Sequence, residues 1–253
     1  MHKNSIFFGE LFRSLRLQIM GSYGAIDHLI KENKTPVTEI DNFVESQLKE
    51  QLSKQFPEIG FYGEEHGRSG NAERFWLVDP LDGTENYIRG LPGVTSIIGL
   101  AEHGKITESY IYDPVDDVLY YAVKGKGAFA DNSPIAVVER PVDRSFIALS
   151  SGFDNGSPLP SALVQEGVYY VAKFLGAGIK AVYLASGKID GIIIKSKRPG
   201  GEWDYAPTRF LAQEAGAILT SFDGDRLDSK VYALLTPQAH TKLIKTIERT
   251  IHG

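Results

Sequence analysis

The chain has 253 residues, enough for one large domain or two smaller lobes with a substantial core. Its 23% charged and 42% hydrophobic content is that of an ordinary globular protein. A net charge of −5 without any dense Lys/Arg run speaks against a nucleic-acid partner, and the absence of cysteine excludes disulfides, thiolate nucleophiles and Cys-ligated zinc.

No apolar run reaches the roughly 20 residues that a membrane span needs. The first segment sets Glu10, Arg13 and Arg16 among its apolar residues and lacks the order of a signal peptide, so a cytoplasmic location is expected. From Ile6 to Ile30 the chain carries Phe8, Leu11, Phe12, Leu15 and Ile19 at helical spacing, which predicts an amphipathic helix. A second helix is predicted from Thr38 to just before Pro57. Thr38 and Asp41 have capping-box spacing, so read alone Asp41 is a first-turn acid that stabilises the helix. Gly60 to Gly67 reads as a short strand ending in a turn that carries Glu64 and Glu65, which by themselves suit a solvated loop.

The stretch Phe75-Trp-Leu-Val-Asp79-Pro-Leu-Asp82-Gly-Thr84 is the most informative in the chain. Four apolar residues predict a buried strand, and Asp-Pro followed by Asp-Gly predicts the turn that ends it. Two acids at the mouth of a buried strand repel one another unless a cation sits between them, and hard divalent ions take oxygen ligands. Gly83 and Thr84 offer backbone N–H groups that could seat a phosphate. A lone D-x-x-D-G-T is nevertheless more often a turn than a metal site.

From Val94 to Val138 period-two stretches at Thr95 to Ala101, Ile106 to Tyr112 and Val118 to Val123, broken by turns, predict an antiparallel meander. The pattern changes near residue 141, which divides the chain into an α+β lobe over 1–141 and an α/β lobe over 142–253. The second lobe is read as a strand at Phe146 to Ser150, helices at Ser161 to Phe174 and Ile179 to Gly187, and a strand at Asp190 to Ile194. A helix from Asp204 to Gly216, strands at Ile218 to Phe222 and Val231 to Leu235, and a helix from Gln238 to Ile251 complete it. Gly176-Ala177-Gly178 reads as a helix N-terminal turn, and Asp223-Gly-Asp225 as a hairpin turn.

Gly63-Glu64-Glu65, Asp79-Pro-Leu-Asp-Gly-Thr84 and Trp203-Asp204 together resemble the inositol monophosphatase family, one branch of the lithium-sensitive, Mg²⁺-dependent phosphatases. Gly125-Lys-Gly-Ala-Phe129, Ala185-Ser-Gly-Lys-Ile-Asp190 and Glu214-Ala-Gly216 extend the likeness over nearly the whole chain. The resemblance implies a layered α-β-α-β-α sandwich of the sugar-phosphatase type, with an antiparallel first lobe and a mixed-sheet α/β second lobe. It implies a homodimer that hydrolyses a small phosphorylated metabolite with two or three Mg²⁺. Glu64, Asp79 and the Leu81 carbonyl would hold one ion, and Asp79, Asp82 and Asp204 a second. Glu64 and Thr84 would orient the water, Asp41 would support Thr84 or a third ion, and Glu65 would play a supporting part. Gly83 and Thr84 would seat the phosphate, with Gly176 and Ala177 on the substrate side; apart from the resemblance, Lys197 either pairs with a second anionic group on the substrate or belongs to a solvated basic loop. The chemistry agrees: two ions bridged by one carboxylate can activate water and stabilise the leaving oxygen, so no His or Cys nucleophile is needed. The six His are scattered, without HExxH spacing.

The substrate is left open. Inositol-cleaving members carry a Glu just before their Trp-Asp, where this chain has the basic Lys195-Ser-Lys197-Arg198 and no acid before Glu202. Lys34-Thr-Pro-Val-Thr38 resembles the 3′(2′),5′-bisphosphate nucleotidase and histidinol-phosphate branches, whereas Thr84-Glu-Asn-Tyr87 and Gly90-Leu-Pro92 resemble the inositol branch. Fructose 1,6-bisphosphate is a further candidate, and a non-catalytic family member is the remote alternative. A haloacid-dehalogenase Asp nucleophile does not suit, because D-x-x-D-G-T is one residue longer than D-x-D-G-T.

Overall fold

Helix α1 (Lys3–Gly21) turns Phe8, Leu11, Phe12, Leu15 and Ile19 into the interior, as the spacing predicts. It stops about nine residues earlier than expected, at Gly21, and Gly24 beyond it has a left-handed φ of 76°. A computed structural model of the chain describes residues 2–30, 36–153, 156–173, 176–196, 201–224 and 226–252. A hairpin of β1 (Leu29–Ile30) and β2 (Pro36–Val37) precedes α2 (Glu39–Gln55), whose N-cap is Thr38 in a complete capping box with Asp41.

The next strands are β3 (Gly60–Gly63), β4 (Gly67–Ser69), β5 (Arg74–Asp82), β6 (Thr95–Glu102), β7 (Lys105–Asp113), β8 (Val118–Val123), β9 (Gly127–Ala130) and β10 (Ser133–Ile135). They form one sheet in the order β10-β9-β8-β7-β6-β5-β3-β4. The predicted meander is its centre, and the parallel β3–β5 pair interrupts an otherwise antiparallel ladder. A short helix, α3 (Thr84–Ile88), leaves the end of β5.

The second sheet is built from β11 (Phe146–Leu149), β12 (Tyr170–Lys173), β13 (Gly191–Lys195), β14 (Ile218–Ser221) and β15 (Val231–Leu235), in the order β12-β11-β13-β15-β14. Its first three strands are parallel and the others antiparallel, a mixed sheet as expected. Its helices are α4 (Leu159–Gln165), α5 (Ala177–Ala185), α6 (Glu202–Glu214) and α7 (Pro237–His252). The helix expected over Ser161 to Phe174 is in fact α4 followed by edge strand β12. Gly167, at φ 89°, ends the helix, and the aromatic and β-branched Val168-Tyr-Tyr-Val171 that follows favours a strand.

Four apolar interfaces stack these elements into five layers. Helices α1 and α2 cover one face of the large sheet; Phe8 lies between Trp76 and Tyr110, and Phe12 stacks on Tyr112. Helices α5 and α6 fill the space between the sheets. Ala181, Val182 and Leu211 face Ile97 and Ile111 on one side, and Leu184 and Ala212 face Ile192 and Leu234 on the other. Helices α4 and α7 cover the outer face of the small sheet through Leu159, Leu163, Leu243 and Ile247. The fold is the predicted α-β-α-β-α sandwich.

Candidate active site

The end of β5 departs from the expected turn. Asp79 pairs with Ile97, but Asp82 pairs with Thr95, so one extra residue is accommodated between them on β5. Side chains alternate along a strand, and residues three apart would face opposite ways; one bulged residue restores the parity. Asp79 and Asp82 accordingly both line one cleft, and Pro80, which has no N–H to pair, occupies the bulge. The Leu81 N–H donates to Asp79 Oδ1 at 3.0 Å, and the Ser96 hydroxyl donates to the Pro80 carbonyl at 2.6 Å.

The cleft has a volume of about 430 Å³, and Glu64, Leu81, Gly83, Thr84, Gly176, Ala177, Lys180, Lys195 and Asp204 also line it. Glu64 follows β3, where its N–H donates to Val78 O at 3.1 Å, and Asp204 is in the first turn of α6. Carboxylate oxygens of Glu64, Asp79 and Asp204 lie within 4.8 Å of one another. Burial pushes the Asp79 carboxyl well above its ordinary value, and the charges of Glu64, Asp204 and Asp82 add to the rise.

Asp82 is not in that group of three. Its Oδ1 accepts the Ala177 N–H at 3.0 Å, and its Oδ2 accepts the Gly178 N–H at 2.7 Å and the Thr95 hydroxyl at 3.1 Å. It therefore caps α5 from 95 residues away in sequence. Gly176-Ala177-Gly178 is the N-terminal turn of a helix, and Gly176 and Ala177 also line the cleft. Gly176, at φ 79°, could not carry a side chain: a Cβ there would lie 2.9 Å from Gly93 O.

Asp41 serves two ends at once. Its Oδ2 accepts the Thr38 N–H at 2.7 Å and the Thr38 hydroxyl at 2.6 Å, and its Oδ1 lies 3.3 Å from the Thr84 hydroxyl. The same hydroxyl is 3.0 Å from Leu81 O, so its single proton is held between two acceptors. Gly83 caps α3 with a left-handed φ of 85°. Trp203 packs edge-on against Tyr62, with ring centres 5.4 Å apart, and Glu202 lies beside the Tyr62 hydroxyl rather than in the cleft. Lys197 and Arg198 lie outside the described residues, as do Lys34, Thr35 and Asp225.

Two residues escaped the sequence reading. Glu45 on α2 is fully buried and accepts the Glu65 N–H at 2.8 Å and the His66 N–H at 2.7 Å, with His66 Nδ1 at 2.9 Å. It clamps the turn that presents Glu64. Lys180 is only 5% exposed on α5, and burial pushes its ammonium down to about 8 against the opposing pull of Asp82 and Asp204. A single lysine inside Ala-Gly-Ile-Lys-Ala-Val-Tyr-Leu-Ala was the available signal for it.

The cluster suits a hard divalent cation: its donors are all carboxylate oxygen, they converge, and the most buried of them resists carrying charge alone. Mg²⁺ is therefore expected to raise the melting temperature. At ~100 times its Kd the gain is about 2.7 kcal/mol, or about 5–10 °C for a chain of this size. Differential scanning fluorimetry with and without Mg²⁺ reads this; an unchanged melting temperature at saturating Mg²⁺ would count against metal binding.

A sequence profile of the inositol monophosphatase family matches residues 11–252. The chain is 33% identical to inositol monophosphatase 2 of Saccharomyces cerevisiae over 84% of this chain and 80% of that one. It is also 33% identical to a histidinol-phosphatase of Mycobacterium tuberculosis over 80% of this chain and 81% of the other. Among solved structures it is similar to an IMPase of Thermotoga maritima, with a TM-score of 0.87, 22% identity and 99% of both chains covered, a likeness of fold.

Proposed function

The chain belongs to the inositol monophosphatase family of phosphoric monoester hydrolases, and from that premise we propose that it uses Mg²⁺ to hydrolyse an inositol monophosphate-like metabolite. The convergence of Glu64, Asp79 and Asp204 within 4.8 Å, beside Thr84, is the observation that carries this reading. Glu64, Asp79 and the Leu81 carbonyl would hold a first ion, and Asp79, Asp82 and Asp204 a second. Bound there, Mg²⁺ would supply an activated water and offset charge on the phosphoryl oxygens.

The residues of the chain do the rest. Asp41 fixes the Thr84 hydroxyl by accepting from it while held by Thr38, which leaves the Thr84 oxygen lone pairs to orient the attacking water. Glu64 would orient that water together with Thr84. The Gly83 and Thr84 amides are assigned to the phosphate, and Gly176 and Ala177 to the substrate beyond it. Residues 1–141 would act as the metal-binding lobe, and 142–253 would contribute Asp204 and the substrate loop. A cytoplasmic homodimer inhibited by Li⁺ completes the proposal; among the described residues no helix is long and apolar enough to cross a membrane.

A second substrate reading has its own support. The cleft wall of Ser150, Ser151, Gly152, Lys195 and Ser196 carries a lysine and no acid, which suits a second anionic group better than a polyol. Inositol 1-phosphate, histidinol phosphate, fructose 1,6-bisphosphate and 3′-phosphoadenosine 5′-phosphate should be compared by phosphate release. Activity on one or more of them that disappears on chelation and returns with Mg²⁺ is expected. Preference for the two bisphosphates would favour the second reading, and inactivity on all four would favour a non-catalytic role.

A further inference from the structure

Arg209, on α6, is 5% exposed and forms no ion pair among the described residues. A buried charge is costly unless it is paired, so its position calls for a counter-charge. Its Nη2 donates to the carbonyls of Arg226 at 2.6 Å and Leu227 at 3.1 Å, and its guanidinium carbon lies 5.2 Å from the centre of the Tyr232 ring. Its Nη1 is buried and meets no acceptor among the described residues. These contacts grip the turn between β14 and β15 and leave the charge uncompensated. Arg209 also lines a cavity of about 180 Å³ that shares no residue with the carboxylate cleft. The cavity lies where the middle layer meets both sheets. Lys105 reaches it from β7 of the large sheet, Arg209 from α6, and Arg226 from the turn after β14 of the small sheet. No acid lines it among the described residues. Arg226 pairs with Asp228 at 2.8 Å, but that pair is exposed at both ends and so holds the arginine weakly.

We propose that this cavity is a binding site for a small anion of the phosphate or carboxylate class, held by Arg209, Lys105 and Arg226. The anion supplies the charge that the buried guanidinium lacks, and charge-assisted hydrogen bonds from arginine are suited to phosphate and carboxylate oxygens. The Arg226 side chain is 64% exposed and can turn from Asp228 towards it. The size of the cavity limits the ligand. At roughly 30 Å³ per water it holds about six waters, enough for a phosphate group with a short tail and too little for a nucleotide. Ile106, Phe210 and Leu219 offer that tail an apolar wall. A bound anion would tie the large sheet, α6 and the small sheet together at one point. The site stands apart from the metal-dependent reading, since none of its groups is assigned to an ion.

The test is isothermal titration calorimetry of the purified full chain in EDTA, with inorganic phosphate and with phosphonoacetate, which carries both a phosphonate and a carboxylate. In EDTA the acids of the cleft are not neutralised by metal and repel both probes. Wild type is expected to bind one anion per chain, with an affinity that falls as salt is raised. Lys105→Ala and Arg226→Ala should each weaken binding by about threefold to tenfold, and Arg209→Met should abolish it. Lys195→Ala, which removes a cation of the cleft, should bind as wild type does. Absence of saturable binding by wild type overturns the proposal. So does wild-type affinity in both Lys105→Ala and Arg226→Ala, and so does a loss confined to Lys195→Ala, which would put the anion in the cleft. Circular dichroism melts in EDTA give a second reading: phosphate should raise the melting temperature of wild type and raise it less in Lys105→Ala. A destabilised Arg209→Met beside a wild type that phosphate leaves unchanged would reduce Arg209 to a grip on the turn and overturn the site. Lys105 and Arg226 are exposed, so their variants carry the comparison if Arg209→Met does not fold.

Discussion

Asp79→Asn is expected to lower the rate of phosphate release by about 10³-fold or more and, at the same time, to raise the melting temperature of the metal-free protein. The two effects have one origin. Asp79 is 2% exposed and is crowded by Glu64, Asp204 and Asp82, so its charge is costly to the empty fold and useful only when a cation shares the site. An amide keeps the shape and can still accept the Leu81 N–H through its oxygen. It also brings an N–H₂ group towards neighbouring carboxylates, and it removes the one anionic ligand assigned to both ions. A loss of about 4 kcal/mol of transition-state stabilisation corresponds to the stated rate. Steady-state kinetics at saturating Mg²⁺, with melts in EDTA, separate the two effects. A variant that remains active, or one that melts earlier in EDTA than wild type, would contradict this account.

Glu45→Ala should damage both stability and turnover, although Glu45 does not line the cleft. Its two oxygens take the Glu65 and His66 N–H groups and face the His66 ring. Truncation leaves buried donors unsatisfied and opens a hole behind the turn, for an expected loss of about 2–4 kcal/mol. The space left for Glu45 is also written into the backbone, since a Cβ on Gly63 would collide with its Oε1. Once the clamp is gone, Glu64 is no longer held against Asp79, and a displacement of about 1 Å at such a group can lower kcat by about 10²-fold. The milder Glu45→Gln retains one acceptor oxygen and should fall between. Urea melts and kcat measured at saturating Mg²⁺ check this; normal kcat in a folded Glu45→Ala protein would show that Glu64 needs no such support.

The sequence made some features legible because a strong local constraint produced them. The core face of α1 follows directly from Phe8, Leu11, Phe12, Leu15 and Ile19, and the Thr38 cap from its spacing to Asp41. Asp79 stands out because a carboxylate at the mouth of an apolar run demands a reason, whereas Glu64 and Asp204 stand out only through the family resemblance. Other features depend on contacts between distant segments. The role of Asp82 as a cap for α5 requires Ala177 and Gly178 to be nearby, which no local pattern announces. Glu45 looks like any polar residue on an amphipathic helix until the Glu65 and His66 amides are placed over it. Strand β12 departs from the helical expectation because pairing with β11 decides it over the continuity of the preceding segment. The bulge at Pro80 has the same local signature as a turn, since proline and glycine mark both.

The middle layer of the sandwich has a consequence for how the molecule comes apart. Helices α5 and α6 are the packing partners of both sheets, with Val182 and Leu211 turned to one and Leu184 and Ala212 to the other. A fragment ending near residue 141 would keep the whole large sheet but bare one of its faces, exposing Ile97 and Ile111 to water. The complementary fragment would carry both helices with nothing over half their surface. Neither half is therefore an autonomous folding unit, and heat or denaturant should dismantle the chain in one cooperative transition. Loss of the centre of the sandwich would scatter Asp79 and Asp204 in the same event.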